Sequence, residues 1–170
     1  KAIERDQKYL GFLFMKQAVM FGAGNVGRGF IGQLFSESGY AVTFVDVDDL
    51  LIETLSARGS YTIRLVDNET VEEANIAPVT ALHSTRQPGE VAAALAGAEL
   101  AATAVGARIL PYIAPLVAAG IRLRIQSGAT AALNIIICEN LKDAAAALRA
   151  MVYEHLTVEE QAYAARAVGF

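Results

Sequence analysis

The segment Val19–Gly32, VMFGAGNVGRGFIG, places five glycines in fourteen positions directly after an apolar run. Glycine has the most backbone freedom to lose on ordering, so such a cluster marks a place where Cβ atoms would obstruct something. The spacing Gly22-x-Gly24-x-x-Gly27 suits a strand–turn–helix unit that holds a pyrophosphate. Its first glycine permits the tight turn, the second lets backbone N–H groups approach the phosphates, and the third lets the helix sit close to the strand. Taken alone the spacing is weakly specific, so its flanks decide.

Residues 17–21 (QAVMF) form a short apolar run that reads as a buried parallel strand. From Asn25 to Ser38 the spacing becomes helical, with Val26, Phe30, Leu34 and Phe35 on one side and Gly39 placed to end the helix. YAVTFVDV (40–47) is a second β-branched strand, and DDLLIETLSARG (48–59) a second helix with acids in its first turn and Arg58 near its end. Asp48 suits the cap of that helix. Asp46 ends the second strand nineteen residues after Gly27, where a carboxylate can accept both hydroxyls of an adenosine ribose.

The alternation continues. Residues 60–66 and 75–83 read as strands flanking an acidic loop, an inserted hairpin. A helix is expected over 88–98, a strand over 99–105, a helix broken or kinked by Pro111 and Pro115 over 107–120, and a short strand or loop over 121–131. A buried strand at 133–138, a long helix at 139–156 and a last helix from Val158 complete the reading. This is an α/β chain with a doubly wound, mostly parallel Rossmann-type sheet and helices on both faces.

In such a sheet ligands lie beyond the carboxyl ends of the strands. The expected cofactor-binding residues are Phe21, Gly22, Ala23, Gly24, Asn25, Val26, Gly27 and Arg28 at the first turn, Asp46 and Val47 after the second strand, and Thr103, Val105 and Gly106 after the fourth. Arg28 has two readings, a phosphate ligand or a solvated side chain. The Asp46 carboxylate repels a 2′-phosphate, Asp48 and Asp49 add to that field, and no Lys or Arg follows until Arg58. NAD is therefore favoured over NADP. S-adenosylmethionine and flavin proteins also use glycine-rich first turns, but fit the single fingerprint followed by Asp less well. Asn140, just past a buried strand, is a candidate to polarise a carbonyl or alcohol oxygen, with helix capping as the other reading. Lys142 reads as solvent-facing, and Cys138, His83 and His155 as structural.

Composition narrows the classes further. Hydrophobic residues make up 54% and charged residues 19%, with a net charge of −4 and no basic stripe, which disfavours nucleic acid. No uninterrupted apolar run reaches the ~18 residues of a membrane span. One cysteine excludes an internal disulfide and fits a cytoplasmic setting, and with two histidines no Cys/His metal cluster is available. Residues 1–14 are expected to be an extension preceding a natural start at Met15, with the dinucleotide-binding domain over 15–170.

GAGNVGRGFIG, FVDV, TAVG and LNIIICENL, in that order, closely resemble the amino-terminal half of the polyol-specific long-chain dehydrogenases, also called the mannitol dehydrogenase family. The resemblance runs from about Met15 to Phe170 and is strongest to members acting on mannitol 1-phosphate. It implies a metal-independent, NAD-linked interconversion of mannitol 1-phosphate and fructose 6-phosphate. It also implies a second, mainly helical domain that supplies the catalytic lysine, which this chain lacks, leaving Asn140 as the one substrate-side candidate. Other polyol or hexuronate dehydrogenases of the family, or a non-catalytic NAD(H)-sensing module, are the alternatives.

Overall fold

The computed structural model describes residues 15–67 and 70–170; the extension expected over residues 1–14 lies outside them. Strand β1 (Lys16–Phe21) enters the glycine turn, and a π-helical turn (Gly27–Ile31) runs directly into α1 (Gly32–Glu37). Then follow β2 (Tyr40–Asp46), α2 (Asp49–Arg58), β3 (Tyr61–Val66), β4 (Val71–Ile76), β5 (Val79–His83), α3 (Pro88–Gly97) and β6 (Leu100–Thr103). A 3₁₀ turn (Ala107–Ile109) leads into α4 (Leu110–Gln126), and β7 (Leu133–Ile137), α5 (Ala144–Tyr153), α6 (Val158–Ala167) and β8 (Val168–Gly169) complete the order.

Among the described residues the main sheet has six strands in the order β5-β2-β1-β6-β7-β8, every neighbouring pair parallel. Counted without the β3–β4 hairpin, that is 3-2-1-4-5-6, the doubly wound Rossmann order, which reverses between β1 and β6. Side chains alternate across each strand. Ala18 and Met20 therefore face a core with Ile31, Phe35, Phe44, Ile52, Leu55 and Ile76, beneath α1, α2 and the hairpin. Val19 and Phe21 face a second core with Leu95, Leu110, Ile121, Leu133, Leu148 and Ala164, beneath α3 to α6. The α/β class and strand alternation expected from the sequence hold.

Four local expectations do not. The helical stretch 25–37 presents Val26, Phe30 and Leu34 to solvent (51%, 57% and 44% exposed) and buries Ile31 and Phe35 with Gly27 and Gly32. The glycines let its backbone lie so near the sheet and hairpin that a Cβ on Gly32 would sit 2.5 Å from the Tyr61 hydroxyl and 2.8 Å from Phe44 Cζ. The single strand expected over 75–83 is two: β4 pairs antiparallel with β3, and after Pro78, which has no N–H for a ladder, β5 joins β2. Part of the expected acidic loop, Val71–Glu73, is thus strand.

Helix α4 is not broken at its prolines and takes in 121–126, expected as strand or loop. Pro111 sits in the first turn, where an N–H has no helical partner in any case. Ile121 and Arg124 on its last turns are buried, and the Arg124 guanidinium donates to the carbonyls of Ala96 (2.9 Å), Ala98 (2.8 Å) and Ala131. A cation there meets the partial negative charge at the end of α3. The stretch Ala107–Gln126 is long and apolar enough to cross a membrane by length and composition, but its apolar face lies in the second core. Finally, α5 starts at Ala144 and not at 139, after Asp143 in the left-handed region (φ +54°).

Candidate dinucleotide site at the strand ends

The parallel register brings four strand ends to one rim. Phe21 lies opposite Val45 on one side and Thr103 on the other, and Thr103 lies opposite Ile137. Asp46, Gly22, Ala104 and Cys138 are therefore the next residues along one edge, at the point where the sheet order reverses. The ladder runs one step further there: Gly22 N–H donates to Val45 O (2.8 Å), Ala104 N–H to Phe21 O (2.9 Å) and Cys138 N–H to Thr103 O (2.9 Å).

Two glycines of the fingerprint are required by packing. Gly22 has φ +92°, and a Cβ there would lie 2.5 Å from the Ala104 carbonyl oxygen. A Cβ on Gly27 would fall on the Gly22 carbonyl oxygen. Gly24 differs: it is exposed, with nothing within 4 Å of a Cβ. The fold leaves that space open, and the helical residues begin at Asn25, directly after Gly24, which has no side chain to cap them. Exposed backbone at an uncapped helix start can receive an anion. Arg28 turns back on this loop, its Nη1 donating to Ala23 O at 2.6 Å, and Tyr61 Oη donates to Arg28 O at 2.7 Å. The side chain thus braces the turn beside an open cavity of about 310 Å³ that it shares with Asn25, Gly29 and β3.

Asp46 is tied into the same turn. Its Oδ2 accepts from Ala23 N–H at 2.7 Å, and its Oδ1 accepts from the N–H groups of Val47 (2.7 Å) and Asp48 (3.2 Å). A carboxylate has about four lone-pair positions, so one remains for a donor from outside. Asp48 caps α2, as expected, by accepting from Leu51 N–H at 3.0 Å.

At the other end of the rim Thr103 is fully buried, and its hydroxyl has no hydrogen-bond partner among the described residues. The loop after it is held by Glu139, whose two carboxylate oxygens accept from Val105 N–H and Gly106 N–H, both at 2.9 Å. Glu139 stands among the strand-end positions where the sequence directs the search for function, yet sequence reasoning assigns it no role, because its segment reads as the first turn of a helix. An acid directly after a buried strand, level with TAVG at the end of the neighbouring strand, was the available signal. Gly106 has φ +90°, which explains a glycine in this loop.

Asn140 lies beside Glu139 on the rim, exposed, and does not occupy the cap of α5, which falls at Asp143. Lys142 is exposed on the same loop. Cys138 is half-buried at the rim instead of within the strand; burial, and then the Glu139 charge, push its thiol up, so it stays protonated at neutral pH. His155 is exposed, and His83 is buried at the end of β5. Among the described residues no group of three or more His, Cys, Asp or Glu is placed to hold a metal ion.

Residues 16–170 match the family model of the mannitol dehydrogenase Rossmann domain. The chain belongs to the mannitol dehydrogenase family. It is 42% identical over 152 residues to a mannitol-1-phosphate 5-dehydrogenase of Lactiplantibacillus plantarum, covering 89% of this chain and 39% of that one. It is 45% identical over 153 residues to the protein of the same description from Brevibacillus brevis, covering 90% of this chain and 39% of that one. The chain therefore spans about 40% of the length of these mannitol dehydrogenase relatives.

Proposed function

We propose that this domain is the NAD-binding half of a dehydrogenase that interconverts mannitol 1-phosphate and fructose 6-phosphate. The observation that carries the reading is the joining of Asp46 to the glycine turn, which sets a carboxylate and an open helix start side by side at the switch point of a Rossmann sheet. Gly24, Asn25 and Val26 are placed to face the pyrophosphate and Asp46 and Val47 the adenosine ribose. Thr103, Val105 and Gly106 flank the nicotinamide side. The free lone pair of Asp46 suits a ribose hydroxyl and repels a 2′-phosphate, which favours NAD. NAD, when bound, supplies the hydride acceptor for a secondary alcohol.

The protein's share of the chemistry is to orient that alcohol and take its proton. Asn140, on the rim beside the nicotinamide side, can donate to the reacting oxygen. The proton acceptor is assigned to a further domain, in line with relatives more than twice this length, and the sugar phosphate is bound chiefly there. NADH titration of the 170-residue chain by fluorescence tests the cofactor assignment: saturable binding, weaker for NADPH, is expected. Equal or tighter NADPH binding overturns the choice of NAD.

A further inference from the structure

The Asp46 end of the rim holds a second carboxylate with a different task. Asp49, the first residue of α2, pairs with Arg86: Nη1 donates to Oδ2 at 3.1 Å and Nη2 makes a closer contact with Oδ1. His83 Nε2 stands 3.5 Å from the same Oδ1. The His83 Nδ1 faces the N–H groups of Thr85 (3.2 Å) and Arg86 (3.4 Å), so it is the acceptor and Nε2 carries the proton. His83 thereby steadies Asp49 from behind.

The cluster adjoins the end of β2 at Asp46. His83 is in register with Asp46, and Ser84 N–H donates to Asp46 O at 2.9 Å. Arg86 belongs to the turn that follows, two residues after Ser84. A free guanidinium in that place suits bidentate capture of a phosphate on the ribose.

We propose that Asp49 is a cofactor-specificity residue, which by pairing with Arg86 keeps a rim guanidinium from serving a 2′-phosphate. Discrimination against NADP then rests on a neutralised arginine as well as on the charge of Asp46. The inference rests on the reading that the adenosine ribose lies at Asp46. The paired side chains of Arg86 and Asp49 are 58% and 56% exposed, so the restraint is soft. Releasing it is worth about a fivefold change in binding, the scale of an exposed ion pair.

The test is a set of NADH and NADPH titrations on the 170-residue chain. Asp49→Asn removes the charge that holds Arg86 and keeps an oxygen for His83; it is expected to tighten NADPH about fivefold and leave NADH within about twofold. Asp49→Ser repeats the test with another side chain suited to a helix start. Adding Arg86→Gln to Asp49→Asn is expected to cancel the gain. Asp48→Asn removes the same charge one residue earlier while keeping the cap, and is expected to give a smaller gain because it leaves the Arg86 pair intact. Three results overturn the proposal while wild type still binds NADH: no NADPH gain in either Asp49 variant, a gain that survives Arg86→Gln, or an equal gain from Asp48→Asn. A wild type that binds neither dinucleotide overturns the underlying cofactor reading, and this proposal with it.

Discussion

The Asp46 carboxylate accepts the buried Ala23 N–H at 2.7 Å, so the end of β2 is fastened to the turn that follows β1. One group therefore has two jobs, shaping the glycine turn and presenting charge at the rim. Two substitutions separate them. Asp46→Ala leaves a buried N–H without its charged acceptor and is expected to cost about 1–3 kcal/mol of stability in urea unfolding. NADH binding is expected to fall by a similar amount. Asp46→Asn keeps an oxygen for Ala23 but loses the charge, so stability recovers in part while the gap between NADH and NADPH narrows. An Asp46→Ala protein as stable as wild type would show that the turn holds without the bond.

Gly24 and Gly27 are expected to respond oppositely to a side chain. Nothing lies near a Cβ on Gly24, so Gly24→Val is expected to melt within a few degrees of wild type yet lose NADH binding at least tenfold, a cost of about 1.4 kcal/mol or more. A Cβ on Gly27 meets the Gly22 carbonyl oxygen, so Gly27→Ala is expected to lower stability by about 1–3 kcal/mol or more. Thermal melts beside NADH titrations decide both. Undiminished NADH affinity in Gly24→Val removes the phosphate role from the turn.

The contrast between those glycines marks what the sequence could convey. The spacing Gly22-x-Gly24-x-x-Gly27 followed by Asp46 is a local pattern, and a local pattern sufficed for β1, the turn, β2 and the sheet class. Which side of the helical stretch 25–37 is buried was not local. Val26, Phe30 and Leu34 satisfy helical spacing as well as Ile31 and Phe35 do, and the choice is made by how closely Gly27 and Gly32 let the backbone approach the sheet and hairpin. The same holds for Glu139, whose partners Val105 and Gly106 are more than thirty residues away, and for the Asp49–Arg86 pair. Helix α4 was misread for a related reason: the alternating apolar residues of 121–125 resemble a strand until Arg124 is seen reaching the end of α3.

Glu139→Ala is expected to loosen the rim without disturbing the core. Val105 and Gly106 lose their N–H acceptors together, costing about 1–3 kcal/mol, less if water reaches the exposed Gly106 amide. Amide hydrogen exchange is the direct readout: those two N–H groups are expected to speed up while Val19 and Phe21 in β1 stay protected. Unchanged exchange at both would mean that the loop is held by its own backbone.

Arg124 is expected to be the least replaceable charged side chain described. It is 1% exposed and satisfies carbonyls at the end of α3 and at Ala131. Arg124→Ala leaves these carbonyl acceptors unpaired around a cavity, at about 1–3 kcal/mol for each that water does not reach, a large share of a domain's stability. Arg124→Lys keeps the charge with fewer donors and is expected to recover part of the loss. Denaturant midpoints for the two variants order them; equal midpoints with wild type would sink the assignment.

The last expectation concerns chemistry. Oxidising an alcohol needs a group that takes the hydroxyl proton within hydrogen-bond reach of the reacting carbon's oxygen. Along the rim the candidates fail one by one. Cys138 is held as the thiol by burial and the Glu139 charge, Glu139 accepts two backbone N–H groups, and His83 lies at the Asp46 end, away from Thr103 and Gly106. Asn140 can donate to an oxygen but cannot take its proton. Lys142 is exposed on the loop before α5. The 170-residue chain is therefore expected to bind NADH yet give less than about a thousandth of the mannitol 1-phosphate turnover of a protein that adds a relative's remaining sequence after Phe170, a deficit consistent with losing general-base catalysis and the substrate pocket together. Steady-state rates for the two proteins, at equal NAD saturation, measure the ratio. Rates within tenfold of each other would place the base on this domain, and Lys142→Met would then be the first variant to assay.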